Sequence, residues 1–390
     1  MTLWKIIFHT VFNKYKIKDD LMTTKRNCNI EILRFIFCLF IVLVHFQDYI
    51  RNGYGTTGYL GVEFFFAVSG IFLGRKLKKD KDQHKNEPLN KTLTASNKYV
   101  LSRISSIYPF YFTAVIFFYI AKVIFMNFSI FSGALYCISD FLFLQIFGFP
   151  SISYTGTLWF LAALFFSIYI LYPIIRRHYD FYIKYMSLPI VLLNTGYIIR
   201  TSGDFAPPPF FNGFLLNPGI LRAIAMITLG ILINEFSDRM KTVKFSKFGH
   251  FILTASELVC YLFVFLYMTF ITDSFDLRFD FVPVIFICLG LLLTISEQSY
   301  FNNKFNNRFS LFLGKSSMIL FMTHHYWVSN ISLFQKILFE KTGIEITGNV
   351  PLIIFGYLLS FLSGVLIYFI GIAVRKAFIL FKNTMITAKN

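Results

Sequence analysis

Two side chains capable of acid–base and anion chemistry interrupt one apolar stretch, Asn29 to His45, NIEILRFIFCLFIVLVH: Arg34 and His45. They stand eleven positions apart. At about 100° per residue, eleven steps come to about 1100°, within roughly 20° of three full turns. The spacing therefore puts both on one helix face, about 16 Å apart along the axis. A cation and a titratable imidazole inside hydrocarbon are costly and normally face a polar cavity. His45 reads either as a general base for a hydroxyl, which an imidazole suits near neutral pH, or as a histidine hydrogen-bonded to a neighbouring helix. Arg34 reads either as a cavity cation or as a residue that snorkels to a membrane boundary.

Other candidates follow in chain order. In the stretch GYLGVEFFFAVSGIFLGRKL, Glu63 falls in the outer half and comes level with His45 if the two helices run antiparallel. A carboxylate there could hold the imidazole in one tautomer, or it could simply mark an interfacial helix start. Ser69 and Gly70 lie deeper, where small residues let helices approach or leave room for a ligand. In KYVLSRISSIYPFY, Arg103 and Lys98 sit where an anionic cosubstrate would first meet protein, and the planar guanidinium suits phosphate. The same charges could instead serve membrane topology alone. Late in the chain, LGKSSMILFMTHHYW carries His324 and His325. Neighbours about 100° apart imply that at most one of them faces a given cavity. They also lack the i, i+4 spacing of a helical zinc pair, so no metal is expected.

The elements that must position these residues are membrane helices. Of 390 residues, 56% are hydrophobic, and long apolar runs recur from residue 30 to residue 374, the pattern of a polytopic all-α transmembrane bundle in the lipid bilayer. Ten spans are expected at about 29–48, 58–75, 99–126, 155–175, 182–200, 218–236, 251–272, 280–297, 311–332 and 350–374. A further piece, Phe131 to Phe149, is broken by Gly133 and Asp140, and reads as a short or re-entrant segment or an eleventh crossing. The net charge of +17 does not point to nucleic acid, because the cations sit in short segments between apolar runs. If 131–149 does not cross, the basic clusters fall on one side, which favours ten spans with both termini cytoplasmic.

The five cysteines are scattered without paired spacing, so neither a disulfide framework nor a metal site is indicated. Residues 1–28 read as a cytoplasmic or interfacial segment, 29–376 as one transmembrane domain and 377–390 as a cytoplasmic tail. The first dozen residues suggest a short interfacial helix, the lysine-rich 76–98 loop a mobile segment, and the PPP at 207–209 a stiff loop.

Several stretches in order resemble the integral-membrane acyltransferases of the acyltransferase-3 group. They are Arg34 to His45; the G-V-[DE]-x-F-F-x-x-S-G segment Gly61 to Gly70; Arg103 to Tyr111; Trp159-Phe160-Leu161 to Tyr172-Pro173; and Leu313-Gly314-Lys315 to His324. The chain departs from that pattern at Ser106, where the group often has a second Arg, and at Leu164, where many members carry Glu. Its WFLAAL version looks more like the branch that modifies surface glycans. The resemblance implies a multi-pass protein of the bacterial cytoplasmic membrane that transfers an acyl group, acetyl above all, from acetyl-CoA. The implied acceptor is a hydroxyl of a cell-surface carbohydrate or its lipid-linked precursor. It implies His45 as base with Glu63 as its orienter, Arg34, Arg103 and Lys98 toward the donor, and Ser69, Trp159 and His324 lining the cavity. A homo-oligomer is compatible with such a bundle. A multispanning carrier or glycan exporter is the rival reading, since buried Arg, His and Glu also suit alternating access. No repeated halves are evident to support it.

Overall fold

The structure, a computed structural model, describes residues 27–49, 55–79, 81–85, 87–149, 158–208, 215–271, 276–302 and 304–387. The interfacial helix expected in the first dozen residues, the start of the expected 155–175 span and Pro209 lie outside these. The described residues form helices and connecting turns, with no strand among them. They are α1 Cys28–Val44, α2 Gly61–Lys79, α3 Leu89–Met126, α4 Ile130–Phe141, α5 Trp159–Arg177, α6 Ser187–Ser202, α7 Pro218–Thr242, α8 Lys247–Phe270, α9 Phe281–Ser296, α10 Arg308–Ser329, α11 Ile331–Thr342 and α12 Asn349–Thr387. A helix occupies each of the ten segments expected from hydropathy. Six are long and apolar enough to cross a membrane by length and composition: Leu89–Met126, Trp159–Arg177, Pro218–Thr242, Lys247–Phe270, Leu277–Ser296 and Asn349–Phe378.

Local chemistry sets where the helices begin. The Asn27 side chain accepts from the Asn29 amide at 3.0 Å and starts α1. Asn217 does the same for Gly219 at 2.8 Å, with Pro218 at the first helical position of α7, where its missing N–H costs nothing. Asn307 caps α10 through the Ser310 amide at 2.9 Å. α8 turns Phe251, Leu258, Leu262 and Leu266 outward, the exposed apolar stripe of a lipid-facing helix.

α4 has 12 residues, about 18 Å of rise against a core of about 30 Å, so it falls short of a crossing. It runs back along α3: the Tyr119 hydroxyl donates to the Ile130 carbonyl, Phe112 stacks on Phe141, and Tyr111 donates to the Asp140 carbonyl at 2.6 Å.

The bundle is organised around α2. Its outer turn packs on α1, and its middle crosses α7 with backbone against backbone. A Cβ on Gly70 would run into the Ile227 carbonyl, and one on Gly230 into the Ala67 carbonyl. Small residues are what permit this approach. α10 packs between α1 and α12, tied by the Cys38 thiol to the Ser317 carbonyl and by the Thr323 hydroxyl to the Ser360 carbonyl at 2.7 Å.

Charged residues gather at one end of the bundle, called here the basic end. Lys78 bridges Glu235 and Asp238 at 3.0 and 2.9 Å, and Lys241 reaches Glu297 at 3.5 Å. The 76–98 segment departs from the expected mobile loop. α3 already begins at Leu89, Thr92 and Ser96 are buried, and Arg176 grips Glu87 with Nε to Oε2 at 2.7 Å and Nη2 to Oε1 at 3.1 Å. A bidentate guanidinium–carboxylate pair fixes what lysine content alone suggested was free. The Arg176 guanidinium holds the Glu87 carboxyl down at about 2.

Two outcomes follow. Gly230→Leu or Gly70→Leu would lower the melting temperature in detergent or prevent folding, since overpacking of this kind costs about 1–3 kcal/mol or more. Gly196→Ala, with nothing near its Cβ position, would leave it unchanged or raise it slightly. The depressed Glu87 carboxyl contributes stability above its unfolded value of about 4.3, and that contribution disappears as pH falls through about 2. Glu87→Gln would therefore loosen the segment at neutral pH, read as faster tryptic cleavage at Lys81 or Lys85; an unchanged rate would refute the tie.

Candidate active site

Arg34, Ser69 and Arg103, three of the residues singled out by sequence, line one cavity of about 270 Å³ between α1, α2, α3, α5 and α10. Arg34 comes from α1, where it pairs with Glu31 one turn earlier at 3.1 Å and keeps its side chain 30% exposed. Arg103 lies over the Tyr99 ring at 5.1 Å, and Tyr99 lines the same space. The Ser69 hydroxyl is turned back onto the Phe65 carbonyl at 2.8 Å. Lys98 is exposed and is not part of the lining. The remaining walls are apolar, with Phe65, Phe160, Leu164, Phe321 and Met322 among them. A space this size lies below the usual range for whole drug-sized ligands and suits a slender arm.

His45 is the C-cap residue of α1 and is half-buried. Its ring lies 5.1 Å from that of His324 and 4.8 Å from that of His325. Both adjacent histidines of α10 thus approach His45. His45, at a helix end, reaches across the about 100° that separates them; neither His324 nor His325 lines the cavity, so His324 stands behind its wall and not on it as the resemblance implied. His324 is fully buried, and its Nδ1 meets the Leu320 carbonyl at 2.9 Å. A carbonyl only accepts, so Nδ1 carries a proton, and Nε2 has no hydrogen-bond partner among the described residues. The His45 ring nitrogens make no hydrogen bond among the described residues. Among those residues no group of His, Cys, Asp and Glu is arranged to hold a metal ion.

Glu63 is not beside His45. Its Oε1 accepts from Arg222 Nε at 2.7 Å, with Glu63 1% and Arg222 4% exposed. Arg222 further donates to the Pro207 carbonyl at 2.9 Å. Nor is Glu63 level with His45: Gly61 of α2 packs against Phe37 and Ile41 of α1, so Glu63 lies nearer the middle of α1, and α2 rolls it toward α7, because a buried carboxylate goes to the nearest buried cation. Trp159 is likewise not on the cavity wall. Its ring lies under the Arg222 guanidinium at 5.4 Å, while Phe160 and Leu161 next to it do line the cavity. Arg222 itself was missed, although an arginine within the run GILRAIAMITLGIL is the sort of intramembrane charge that signals a specific partner. Another buried carboxylate, Asp280, takes hydrogen bonds from Tyr59 and, at 2.7 Å, from Tyr267.

Removing one partner of the Glu63–Arg222 pair would strand a buried charge at a cost of about 3–5 kcal/mol. Arg222→Met and Glu63→Met alone would therefore unfold or strongly destabilise the protein in detergent, and the double variant would recover most of the melting temperature. Equal losses in singles and double would show that the pair is not the partner each side chain needs.

Residues 28–369 match the acyltransferase-3 family, described as an acyltransferase domain. Neither a curated protein nor a solved structure matches the chain. The match spans nearly the whole bundle, from the first residue of α1 to the far part of α12, and includes every residue of the cavity and of the histidine cluster. The chain belongs to the acyltransferase-3 family of membrane acyltransferases.

Proposed function

We propose that this protein moves an acyl group, acetyl above all, from acyl-CoA to a hydroxyl of a cell-surface carbohydrate or its lipid-linked precursor, in a bacterial cytoplasmic membrane. The observation that carries the reading is the cavity bearing Arg34 and Arg103, whose inner-wall ring Phe321 lies 6.0 Å from His324, with His45 5.1 Å from His324 in turn. The basic end faces the cytoplasm under the positive-inside rule, with ten spans and both termini inside. The donor enters there. Its slender thiol-ester arm fits the cavity, while its nucleotide stays outside near Arg103, with Lys98 adding attraction from the exposed face.

The acceptor hydroxyl comes to His45 from the opposite end. His45 takes the hydroxyl proton, the oxygen attacks the thioester carbonyl, and the new C–O bond forms as the C–S bond breaks. The proton then passes to the departing thiolate, leaving free CoA thiol and the ester. His324, its ring 5.1 Å from that of His45, forms the inner side of this cluster. Glu63 has no part in orienting His45, since Arg222 holds it.

The test compares wild type and variants in membranes with radiolabelled acetyl-CoA and a lipid-linked glycan from the native host. Wild type would label the glycan; His45→Ala would lose about 10²- to 10⁴-fold of the rate at equal expression. Arg34→Ala and Arg103→Ala would raise the donor KM more than they lower kcat, the mark of lost donor binding. Transfer that survives His45→Ala removes His45 as the base. A folded wild type that neither labels glycan nor binds CoA overturns the reading.

A further inference from the structure

The cavity has chemically different ends, and the register of its walls shows which is which. Toward the basic end lie Arg34, Phe72, Tyr99 and Arg103; toward the histidine end lie Phe65, Phe160 and Phe321. Phe65 and Phe72 are seven residues apart on α2, about 10 Å of rise, so the space is elongated along the bundle axis. At its inner end three rings from three helices meet. Phe65 of α2 lies 6.2 Å from Phe160 of α5 and 6.1 Å from Phe321 of α10, and Phe160 and Phe321 are 5.5 Å apart.

Centroids 4.5–7 Å apart are those of packed aromatic pairs. Three mutual pairs therefore form a closed apolar floor. Behind the floor, the Phe321 ring is 6.0 Å from His324. Phe160 is braced from behind by Phe66 at 4.5 Å, and Phe66 in turn by Trp159 at 6.2 Å. Through Trp159 the floor rests on the Arg222–Glu63 pair. This is a wall built of side chains on a rigid frame, not of backbone.

We infer that the Phe65–Phe160–Phe321 floor determines which acyl groups the protein transfers, admitting the smallest and rejecting longer chains. The inference rests on the donor reading above. An acyl chain arriving from the basic end meets the floor with its far carbons first, and its carbonyl comes within reach of the nucleophile beside the histidines only once the carbons ahead of it have found room among the rings. A two-carbon group needs one ring edge to turn aside. Each further methylene must be placed against three packed rings, and overfilling a packed apolar site is unfavourable. The same floor keeps water away from the thioester until the acceptor is bound.

The experiment measures transfer from radiolabelled acetyl-, butyryl- and octanoyl-CoA to one acceptor by wild type, Phe65→Ala, Phe160→Ala and Phe321→Ala. Phe321→Leu, which keeps an apolar side chain, is included in case an alanine variant does not fold. Melting temperature in detergent reports folding. Wild type would prefer acetyl, and folded variants would raise the butyryl-to-acetyl and octanoyl-to-acetyl ratios by about tenfold or more, the usual scale for methylene-level discrimination. A wild type indifferent to chain length, or folded variants that keep its preference, overturns the inference while acyl transfer itself stands. A wild type that transfers none of the three overturns the donor reading as well.

Discussion

The backbone-to-backbone crossing of α2 and α7 is the constraint on which the interior depends. Gly70 and Gly230 leave no room for a Cβ between the two helices. With the crossing that close, the faces of α2 on either side are fixed in rotation. One face carries Phe65 and Ser69 into the cavity, and another carries Glu63 to Arg222 on α7. A crossing a few ångströms wider would widen the cavity and leave the carboxylate and guanidinium out of hydrogen-bond reach.

The Glu63–Arg222 pair is better understood as a strut than as a reagent. Two charges buried to this degree are weak contributors to net stability, yet either alone would be untenable, so the pair fixes a unique arrangement. Trp159 stacks beneath it and positions the start of α5, which in turn presents Phe160 to the cavity. Polar chemistry is thereby kept in two separate places: cations at one end of the cavity, and imidazoles beyond its other end. Under the proposed reading, with donor and acceptor meeting from opposite ends of the bundle, this division avoids a continuous polar path that would also conduct water and ions.

Much of the architecture was legible in the chain. Hydropathy alone located a helix in each of ten expected segments, because a backbone in hydrocarbon must satisfy its own hydrogen bonds and has little choice but to be helical. The broken apolarity around Gly133 and Asp140 marked 131–149 as distinct, and α4 is indeed too short to cross. The eleven-residue spacing of Arg34 and His45 placed both on the side of α1 that meets α10, one at the cavity and the other at His324. Helix periodicity acts over a single element, and for that range it suffices.

Pairings between helices were a different matter. Sequence could not tell how deep Glu63 sits against α1, nor whether it faced α1 or α7, since the roll of α2 is decided by which neighbour carries the glycines that let it approach. Nothing local in THHYW shows that both imidazoles converge on His45, which requires α1 to end where it does against α10. Nor does a chain rich in phenylalanine, 52 in all, reveal which three close one cavity. The sequence by itself determined the class of element, its depth and the residues able to carry chemistry, because these follow from transfer free energy and helix geometry along one segment. Only the tertiary structure decided who meets whom, because rotation and spacing of helices are set by close packing among residues far apart in the chain.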